Sequence, residues 1–388
     1  MRTSRIVVTL LTAGGLLAAA GCGTNKNSSA SGTTSSAAAT TSAAAPSSAA
    51  PSTAAASSSA PATAACATGS LSAQGSTFQA NMETQWAKDF GAQCAGAQIN
   101  YQGTGSGAGI TAIESGTADF AGSDVTMAAA DQTKANTACS TTAITLPVTS
   151  GGIAVTYNLS GVTSLKLSAK TVAGIFDGKI TKWNDPAIAA DNDGTTLPAT
   201  TISVFYRNDS SGSTSVFTSF LKADAASDWT LGASKTITFF SGAQGAKGSA
   251  GVAAGVKQTA GGVTYVETSF AKAQSLPTAS IKGVGSSFVD ATDATVSTAI
   301  GEGFSVTGTG NDLAGAMAYE KMMTGYPIST VSYGIVCSKY KDAAKGSLVK
   351  AYLTYAVTKG QTAAAGLGFA PLPSDLATKV QASLSAIS

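Results

Sequence analysis

Three short segments rich in glycine and hydroxyl residues each follow a predicted strand and open a predicted helix. They are GSTF at residues 75–78, GTGSGAG at residues 103–109 and SSGST at residues 210–214. The N-terminus of a helix presents backbone N–H groups without partners and a partial positive charge. Glycine lets a ligand approach the backbone, and Ser or Thr adds a hydroxyl donor. Three such helix starts facing one cleft would therefore form an anion-binding site.

Each segment taken singly also has an ordinary explanation. Ser and Thr are common N-cap residues and Gly is common in loops, so one such segment alone is more typical of helix capping without a ligand. Nucleotide-binding loops fit less well. No Lys follows the glycines as in a Walker loop, and the order GxGxG at residues 103–107 lacks the GxGxxG spacing of dinucleotide-binding folds.

Charged residues flank the second and third segments. Arg207 and Asp209 directly precede the third, and Asp124 follows the helix opened by the second. The Arg207 guanidinium can bind a tetrahedral oxyanion through two parallel hydrogen bonds, with Asp209 holding it in place. Asp124 would accept a hydrogen bond from a protonated oxyanion and repel one with no proton. The alternatives are a surface ion pair for Arg207 and Asp209, and a turn or cap role for Asp124.

Composition narrows the function classes. The 388 residues suffice for two lobes with separate cores, and with 11% charged residues and a net charge of +2 nothing indicates a nucleic-acid surface. The chain has no His, the commonest general base and zinc ligand, so a hydrolase or metalloenzyme is less expected. We predict no catalytic residue, no metal and no cofactor. Besides Cys22 there are four cysteines, an even number that favours two disulfides in an exported domain: Cys66, Cys94, Cys139 and Cys337.

The N-terminus has the features of an export signal. Arg2 and Arg5 precede an apolar stretch at residues 6–20 that is too short to span a bilayer comfortably. The following AAGC resembles a bacterial lipobox, which predicts a lipoprotein signal peptide at residues 1–21 and diacylation of Cys22. The alternative is an ordinary signal peptide followed by a coincidental cysteine.

The segment that follows is a predicted tether. Residues 22–65 consist almost entirely of Ser, Ala, Thr, Gly and Pro, with no large apolar side chains to bury. We expect this segment to be disordered and to hold a globular domain away from a membrane. A glycosylated stalk is a compatible alternative.

From residue 71 onward, short β-branched runs alternate with helical patterns. This alternation predicts α/β lobes with mixed sheets, and no internal repeat is visible. We expect strands at 97–101, 153–158, 202–206 and 263–267, and helices at 80–90, 110–115, 169–176, 213–222, 251–258, 313–323 and 348–358.

Several motifs, in order, resemble the substrate-binding proteins of the bacterial phosphate-specific ABC transporter. The resemblance runs from about residue 71 to the C-terminus. This chain departs from the family at three positions. Family members commonly have Gly where Ser210 stands and usually have Gly where Thr264 stands. They commonly have Thr where Ser213 stands, so the hydroxyl group is kept at that position. The motifs are GSTF at 75–78, NYQGTGSGAGI at 100–110, DFAGSD at 119–124, IFDGKITKWNDPAI at 175–188, RNDSSGS at 207–213 and YPISTVSYGIVCSKY at 326–340.

The resemblance implies an α/β, two-lobed, periplasmic-binding-protein-like fold of type II, with mixed sheets and flanking helices. One lobe would comprise residues 66–149 and 283–388, and the other residues 150–282, with one phosphate between them. It also implies a receptor that is not an enzyme: a monomer, lipid-anchored outside the cytoplasmic membrane, that delivers inorganic phosphate to ABC transporter permease subunits with a cytoplasmic ATPase.

The resemblance further assigns roles to individual residues. Thr77 and Phe78 would donate backbone N–H groups, with the Thr77 hydroxyl added, and Ser106 would donate its hydroxyl and backbone N–H. Asp124 would accept the phosphate proton, and Arg207 would pair with the phosphate charge, held by Asp209. The donors from the third helix start would be Ser211, Gly212 and Ser213.

Two alternative functions fit the sequence less well. A phosphatase or phosphotransferase would need a nucleophile with a base, or metal ligands, and the chain has neither His nor a carboxylate cluster at ligand spacing. The same fold can also serve as a receptor for sulfate or molybdate, or as a surface adhesin. Asp124 argues against fully ionised anions, because a carboxylate facing an unprotonated oxygen is repulsive.

Four cysteines allow three pairings. We predict Cys94–Cys139, because these residues close two helices of the first lobe. We also predict Cys66–Cys337, because that bridge would fasten the two ends of the discontinuous lobe.

Overall fold

The computed structural model describes residues 66–388. The signal peptide, the lipidation site Cys22 and the tether predicted for residues 1–65 lie outside the described residues. Among residues 66–388, none of the helices has both the length and the apolar character needed to cross a bilayer.

Strands and helices alternate along the described chain, as the sequence predicts. The strands are β1 (Gly69–Gly75), β2 (Ala97–Gly103), β3 (Phe120–Ser123), β4 (Ala143–Tyr157), β5 (Lys166–Ser168), β6 (Ser203–Arg207), β7 (Gln244–Ala246), β8 (Gly262–Glu267), β9 (Ser280–Lys282), β10 (Phe304–Val306), β11 (Gly315–Met317) and β12 (Ser329–Cys337). The helices are α1 (Ala80–Gln93), α2 (Ser106–Glu114), α3 (Ala129–Cys139), α4 (Ala169–Phe176), α5 (Pro186–Asp191), α6 (Gly212–Asp224), α7 (Gly248–Gln258), α8 (Thr268–Ala273), α9 (Asp293–Gly303), α10 (Ala343–Val357), α11 (Ala364–Leu367) and α12 (Ser374–Ser385), with 3₁₀ turns at Tyr319–Lys321 and Lys359–Ala363.

Eight strands form one mixed sheet in the order β2-β1-β3-β12-β4-β8-β6-β7. Strand β4 joins its two halves: residues 143–152 pair antiparallel with β12, and residues 153–157 pair antiparallel with β8. All 15 residues of β4 are buried, which explains its nearly continuous apolar and hydroxyl sequence. The predicted lobe boundary at residues 149–150 falls inside β4, and the division into lobes stays a prediction.

The first half of the sheet places the turns after β1 and β2 side by side. Strand β1 is parallel to both β2 and β3, with Gly75 opposite Gly103 and Gly122. Because the carboxyl ends of parallel strands meet at the same edge, the segments that follow β1, β2 and β3 are neighbours. Gly75 has φ +148°, and a Cβ there would lie 2.1 Å from the Gly122 carbonyl oxygen, so this crossing requires glycine.

The second half of the sheet repeats this arrangement. Strand β6 is parallel to β7 and to β8, and Arg207 at the end of β6 lies opposite Ala246 at the end of β7. Helices α6 and α7 begin directly after these strand ends, after Ser211 and Lys247 respectively. The N-termini of α6 and α7 therefore lie beside each other, at the carboxyl ends of β6 and β7.

Helix α1 illustrates how the helices cover the sheet. Its buried side chains recur every three to four residues and include Met82, Trp86 and Phe90, as expected for an amphipathic helix. The Trp86 indole N–H donates to the Gly360 carbonyl oxygen over 3.0 Å, which ties α1 to the C-terminal part of the chain.

Most of the predicted elements are confirmed, and one is wrong. The predicted strand at 153–158 is the second part of the much longer β4. The segment 313–323, predicted to be a helix, instead contains β11, which pairs antiparallel with β10, and a 3₁₀ turn. A Cβ on Gly315 would lie 2.3 Å from the Phe304 ring, so the close packing of this hairpin overrides the helical pattern.

The predicted disulfide pairing is also wrong: the bridges are Cys66–Cys94 and Cys139–Cys337. Because β1 and β2 start side by side, with Gly69 opposite Ala97, Cys66, shortly before β1, lies next to Cys94, which follows α1. Cys139 is the last residue of α3, shortly before β4, and Cys337 pairs with Ala143 at the start of β4. Strand register thus decides the pairing.

Candidate anion-binding site

The structure brings the nine predicted site residues together where the two halves of the sheet meet. The segments after β1, β2 and β3 are neighbours through their parallel register, and the hydrogen bond from the Gly212 backbone N–H to Ser106 joins them to the segment after β6. All except Asp209, which is partly exposed, are buried: Thr77, Phe78, Ser106, Asp124, Arg207, Ser211, Gly212 and Ser213.

Asp124 accepts three hydroxyl hydrogen bonds. Ser76 and Ser332 each donate to Oδ1 over 2.5 Å, and Ser106 donates to Oδ2 over 3.1 Å. The pKa of Asp124 is raised from 3.8 to about 6, because burial and the nearby charge of Glu267 raise it by more than the three hydroxyl donors lower it. At neutral pH Asp124 is mostly a carboxylate, and it can therefore accept a hydrogen bond from a protonated oxygen of a ligand.

Ser106 connects the second and third turns. Its hydroxyl oxygen accepts from the backbone N–H of Asp124 over 3.1 Å and of Gly212 over 3.2 Å. A Cβ on Gly212 would lie 2.4 Å from Ser106 Oγ and 2.5 Å from Asp124 Oδ2. Only glycine allows the start of α6 to approach α2 and Asp124 this closely.

Arg207 carries the positive charge of the site. Its guanidinium donates to Asp209 through Nε over 2.7 Å and through Nη2 over 2.5 Å, and only 1% of its side chain is exposed. Burial would lower the pKa of Arg207, but the bond to Asp209 and the charge of Glu267 raise it above its ordinary value. Burial likewise would raise the pKa of Asp209, but the Arg207 partner holds it below its ordinary value. The pair therefore stays ionised.

Ser249 connects this pair to the first turn. Its hydroxyl accepts from Arg207 Nη1 over 3.1 Å and lies 2.6 Å from Thr77 Oγ1. Asp209 Oδ1 also accepts from the backbone N–H of Gly248 over 3.0 Å, so the start of α7 is tied to the same ion pair. The first, second and third turns are thus linked to each other through hydroxyls and one buried cation.

Several predicted donors bond to the protein itself in this structure. The Phe78 backbone N–H donates to Ser76 Oγ over 2.9 Å. The Ser211 hydroxyl accepts from the Thr214 backbone N–H over 3.2 Å, which is an ordinary N-cap. The Ser213 hydroxyl donates to the Glu267 carboxylate. The direct ligand contacts of these residues stay predictions.

Four residues of the site were missed from the sequence. Ser249 follows Gly248 at the start of α7, directly after β7, so it repeats the strand–glycine–hydroxyl–helix pattern and could have been found. Ser76 lies within the first turn. Ser332 stands in the middle of β12, and Glu267 ends β8. Nothing in the residues around them indicates that their side chains reach the site.

The site has the donor set of an anion receptor. Among residues 66–388 no group of three or more His, Cys, Asp or Glu side chains is placed to hold a metal ion. Backbone N–H groups, hydroxyls and a guanidinium can bind the oxygens of a tetrahedral anion, and the Asp124 carboxylate can accept from a protonated one.

Comparison with known proteins agrees with this description. The sequence model of the PBP superfamily domain matches residues 60–359. The phosphate-binding protein PstS 3 of Mycobacterium leprae is 40% identical over 326 residues, which are 82% of this chain and 87% of that protein. The phosphate-binding protein PstS of Pasteurella multocida is 33% identical over 329 residues, 81% of this chain and 89% of that protein.

Solved structures establish the fold. A high affinity periplasmic phosphate-binding protein, PfluDING, bound with phosphate, superposes with a TM-score of 0.66 at 24% identity, covering 81% of this chain and 93% of that one. The predicted α/β, periplasmic-binding-protein-like fold of type II, with mixed sheets and flanking helices, is thereby confirmed. The chain belongs to the PBP superfamily and, within it, to the PstS family of substrate-binding proteins.

Proposed function

We propose that this protein binds inorganic phosphate outside the cytoplasmic membrane and delivers it to an ABC-type phosphate importer. Its relatives in Mycobacterium leprae and Pasteurella multocida are phosphate-binding proteins, which supports phosphate as the ligand. The observation that carries the proposal is the buried Arg207 guanidinium, paired with Asp209, together with the buried carboxylate of Asp124, at three glycine- and hydroxyl-rich helix starts.

The chemistry of these groups fits phosphate. Arg207 supplies one buried cation whose remaining N–H groups can bind two oxygens, and the helix starts add backbone and hydroxyl donors. Asp124 distinguishes a protonated oxyanion from one without a proton. A receptor, rather than an enzyme, is the role that this donor set serves, because binding needs no nucleophile and no metal.

Anchoring and assembly belong to the same proposal. We expect diacylation at Cys22 to hold the protein at the outer face of the membrane, and residues 22–65 to act as a tether. The receptor would act as a monomer with two lobes, residues 66–149 with 283–388 and residues 150–282, that close around the ligand and dock on the permease. Labelling with radioactive palmitate checks the anchor: the wild type should be labelled and Cys22→Ser should not.

Calorimetry of the full-length chain tests the ligand. Bound phosphate is first removed by unfolding and refolding in phosphate-free buffer, and the protein is then titrated with phosphate, arsenate, sulfate and a phosphate monoester. We expect saturable binding of phosphate and arsenate, with sulfate far weaker and the ester not bound. A refolded protein that binds none of these anions, or that binds sulfate best, would overturn the proposal.

A further inference from the structure

The second and third glycine-rich turns touch each other directly, although they follow strands from opposite halves of the sheet. Strand β2 precedes the second turn and β6 precedes the third, and five strands stand between these two in the sheet order. The backbone N–H of Gly107 donates to the Ser210 carbonyl oxygen over 3.1 Å. The protein thus joins the two turns by a bond of its own backbone.

The Ser210 side chain occupies the space in which residue 107 would carry a side chain. A Cβ on Gly107 would lie 2.1 Å from Ser210 Oγ and 2.5 Å from Ser210 Cβ. Rotation about χ1 can move the Ser210 hydroxyl away, but the Ser210 Cβ moves only with the backbone. Any side chain at residue 107 would therefore push the two turns apart.

The helix itself does not require glycine at residue 107. Gly107 is the second residue of α2, and it is not among the glycines with a positive φ. Alanine is a better helix former than glycine, so the local backbone favours Ala at this position. The feature that requires glycine here is the contact with Ser210.

The contact lies directly beside predicted ligand donors of both turns. Gly107 follows Ser106, and Ser210 precedes Ser211. The Gly212 backbone N–H also donates to Ser106 Oγ over 3.2 Å, across the same two turns. Separation of the turns by about an ångström would stretch that bond beyond hydrogen-bonding distance and would move the two sets of donors apart.

We propose that Gly107 and Ser210 are a positioning pair, whose contact sets the spacing between the second and third turns and thereby the affinity of the site for its anion. This inference rests on the proposed function. The pair acts through the donors next to it and makes no ligand contact of its own through the Ser210 side chain. Donors that are already at the right spacing bind a ligand more tightly than donors that must first move, so a fixed spacing favours binding.

Replacement of Gly107 by Ala should separate the turns and weaken phosphate binding. Kd should rise by about tenfold to a hundredfold, the equivalent of one lost hydrogen bond to a charged group. The melting temperature without phosphate should stay near that of the wild type, because the turns can move apart while the strands and helices behind them stay packed. A purely structural role of the contact would instead lower the melting temperature together with the affinity.

Replacement of Ser210 by Gly in the same protein should restore binding. It removes the two atoms that the Ala side chain meets first, and the carbonyl oxygen of residue 210 then remains at 3.4 Å, an ordinary contact distance. The double variant should therefore bind phosphate with a Kd within a few-fold of the wild type. Gly301→Ala is the matched control, since a Cβ at that position in α9 would meet nothing within 4 Å.

Calorimetric titration with phosphate tests the inference on the full-length chain, after bound phosphate has been removed by refolding. The proteins compared are the wild type, Gly107→Ala, Gly107→Ala with Ser210→Gly, and Gly301→Ala. Circular dichroism gives the melting temperature of each without phosphate. We expect Gly107→Ala alone to bind weakly, and all four proteins to melt at nearly the same temperature.

The outcomes separate this inference from the proposed function. A wild type that binds no phosphate would overturn the proposed function together with the inference. Phosphate binding by the wild type with an equal Kd in Gly107→Ala, or without recovery in the double variant, would overturn the inference alone. If Gly107→Ala does not fold, Ser210→Val, which crowds the same contact from the third turn, replaces it, and an unchanged Kd in that variant likewise overturns the inference.

Discussion

The hydroxyl oxygens of Thr77 and Ser249 lie 2.6 Å apart although 172 residues separate them in the sequence. Thr77 belongs to the segment after β1, and Ser249 belongs to the first turn of α7, so the two residues come from opposite halves of the sheet. Ser249 also accepts from Arg207 Nη1. Ser249 therefore links the buried guanidinium of Arg207 to the first turn.

Replacement of Ser249 by Ala should weaken phosphate binding by about tenfold, equivalent to a hydrogen bond to a charged group. The substitution removes the partner of Arg207 Nη1 and of the Thr77 hydroxyl but leaves the Arg207–Asp209 fork intact. Calorimetry measures the affinity, and Ser347→Ala, on the exposed side of α10, is the control. Equal affinities of the two variants would mean that Ser249 has no part in binding.

Replacement of Arg207 by Ala should cost phosphate binding a few kcal/mol, because charge-assisted hydrogen bonds in a closed cleft are the strong ones. The fold should survive, although Asp209 loses its partner and the melting temperature should fall slightly. The exposed Lys170→Ala serves as a control for the loss of one positive charge. Undiminished affinity of a folded Arg207→Ala protein would exclude Arg207 from the ligand contacts.

Selectivity between phosphate and sulfate should depend on Asp124. As a carboxylate it accepts the hydrogen bond of a protonated phosphate, whereas sulfate offers only lone pairs, a contact that costs several kcal/mol. The amide of Asp124→Asn can donate as well as accept, so the ratio of phosphate to sulfate affinity should narrow. The measurement is the pair of Kd values in both proteins, and an unchanged ratio contradicts this account.

The sequence was most informative where function depends on local pattern. The glycine and hydroxyl turns, and Arg207 beside Asp209, are contiguous in the chain, and their positions at strand ends follow from the alternation of strands and helices. By contrast, Ser332 bonds to Asp124 across 208 residues, and Glu267 bonds to Ser213 across 54. Such partners depend on strand register, which a single sequence does not specify.

The same limitation explains the two wrong structural predictions. The bridge Cys139–Cys337 depends on the pairing of Cys337 with Ala143, a register set by the whole β4–β12 pair. The helical pattern at residues 313–323 is overridden by the β10–β11 pair, in which the ring of Phe304 packs against Gly315. Local propensity is a weak guide where tertiary packing decides.

The buried Glu83 should make stability depend on pH. The pKa of Glu83 is raised from 4.5 to about 8, because burial raises it by more than the hydrogen bond donated by the Tyr352 hydroxyl over 2.5 Å lowers it. The folded protein therefore holds a proton that the unfolded chain releases above about pH 4.5, so this contribution to stability is full below that pH and is lost as the pH rises through about 8.

Glu83→Gln removes that titration. The melting temperature of the variant should change less than that of the wild type between about pH 4.5 and about pH 8, with the difference amounting to a few kcal/mol in the free energy of unfolding. The readout is the slope of the melting temperature against pH. The absolute melting temperature is not used, because the Gln amide leaves a buried N–H donor unpaired and so lowers stability at every pH. Parallel curves for the two proteins would show that Glu83 does not titrate in this range.

The two disulfides should contribute unequally to stability. Cys139–Cys337 closes a loop of 198 residues and Cys66–Cys94 closes one of 28. In the chain-entropy account the longer loop restricts the unfolded chain more, by about 1–2 kcal/mol for this ratio of lengths. Cys139→Ala with Cys337→Ala should therefore lower the free energy of unfolding more than Cys66→Ala with Cys94→Ala.

Denaturant titration of both double variants measures the difference. Peptide mapping of the oxidised wild type provides the independent check, because it must recover these two bridges; a peptide joining Cys94 to Cys139 would contradict the pairing on which the comparison depends.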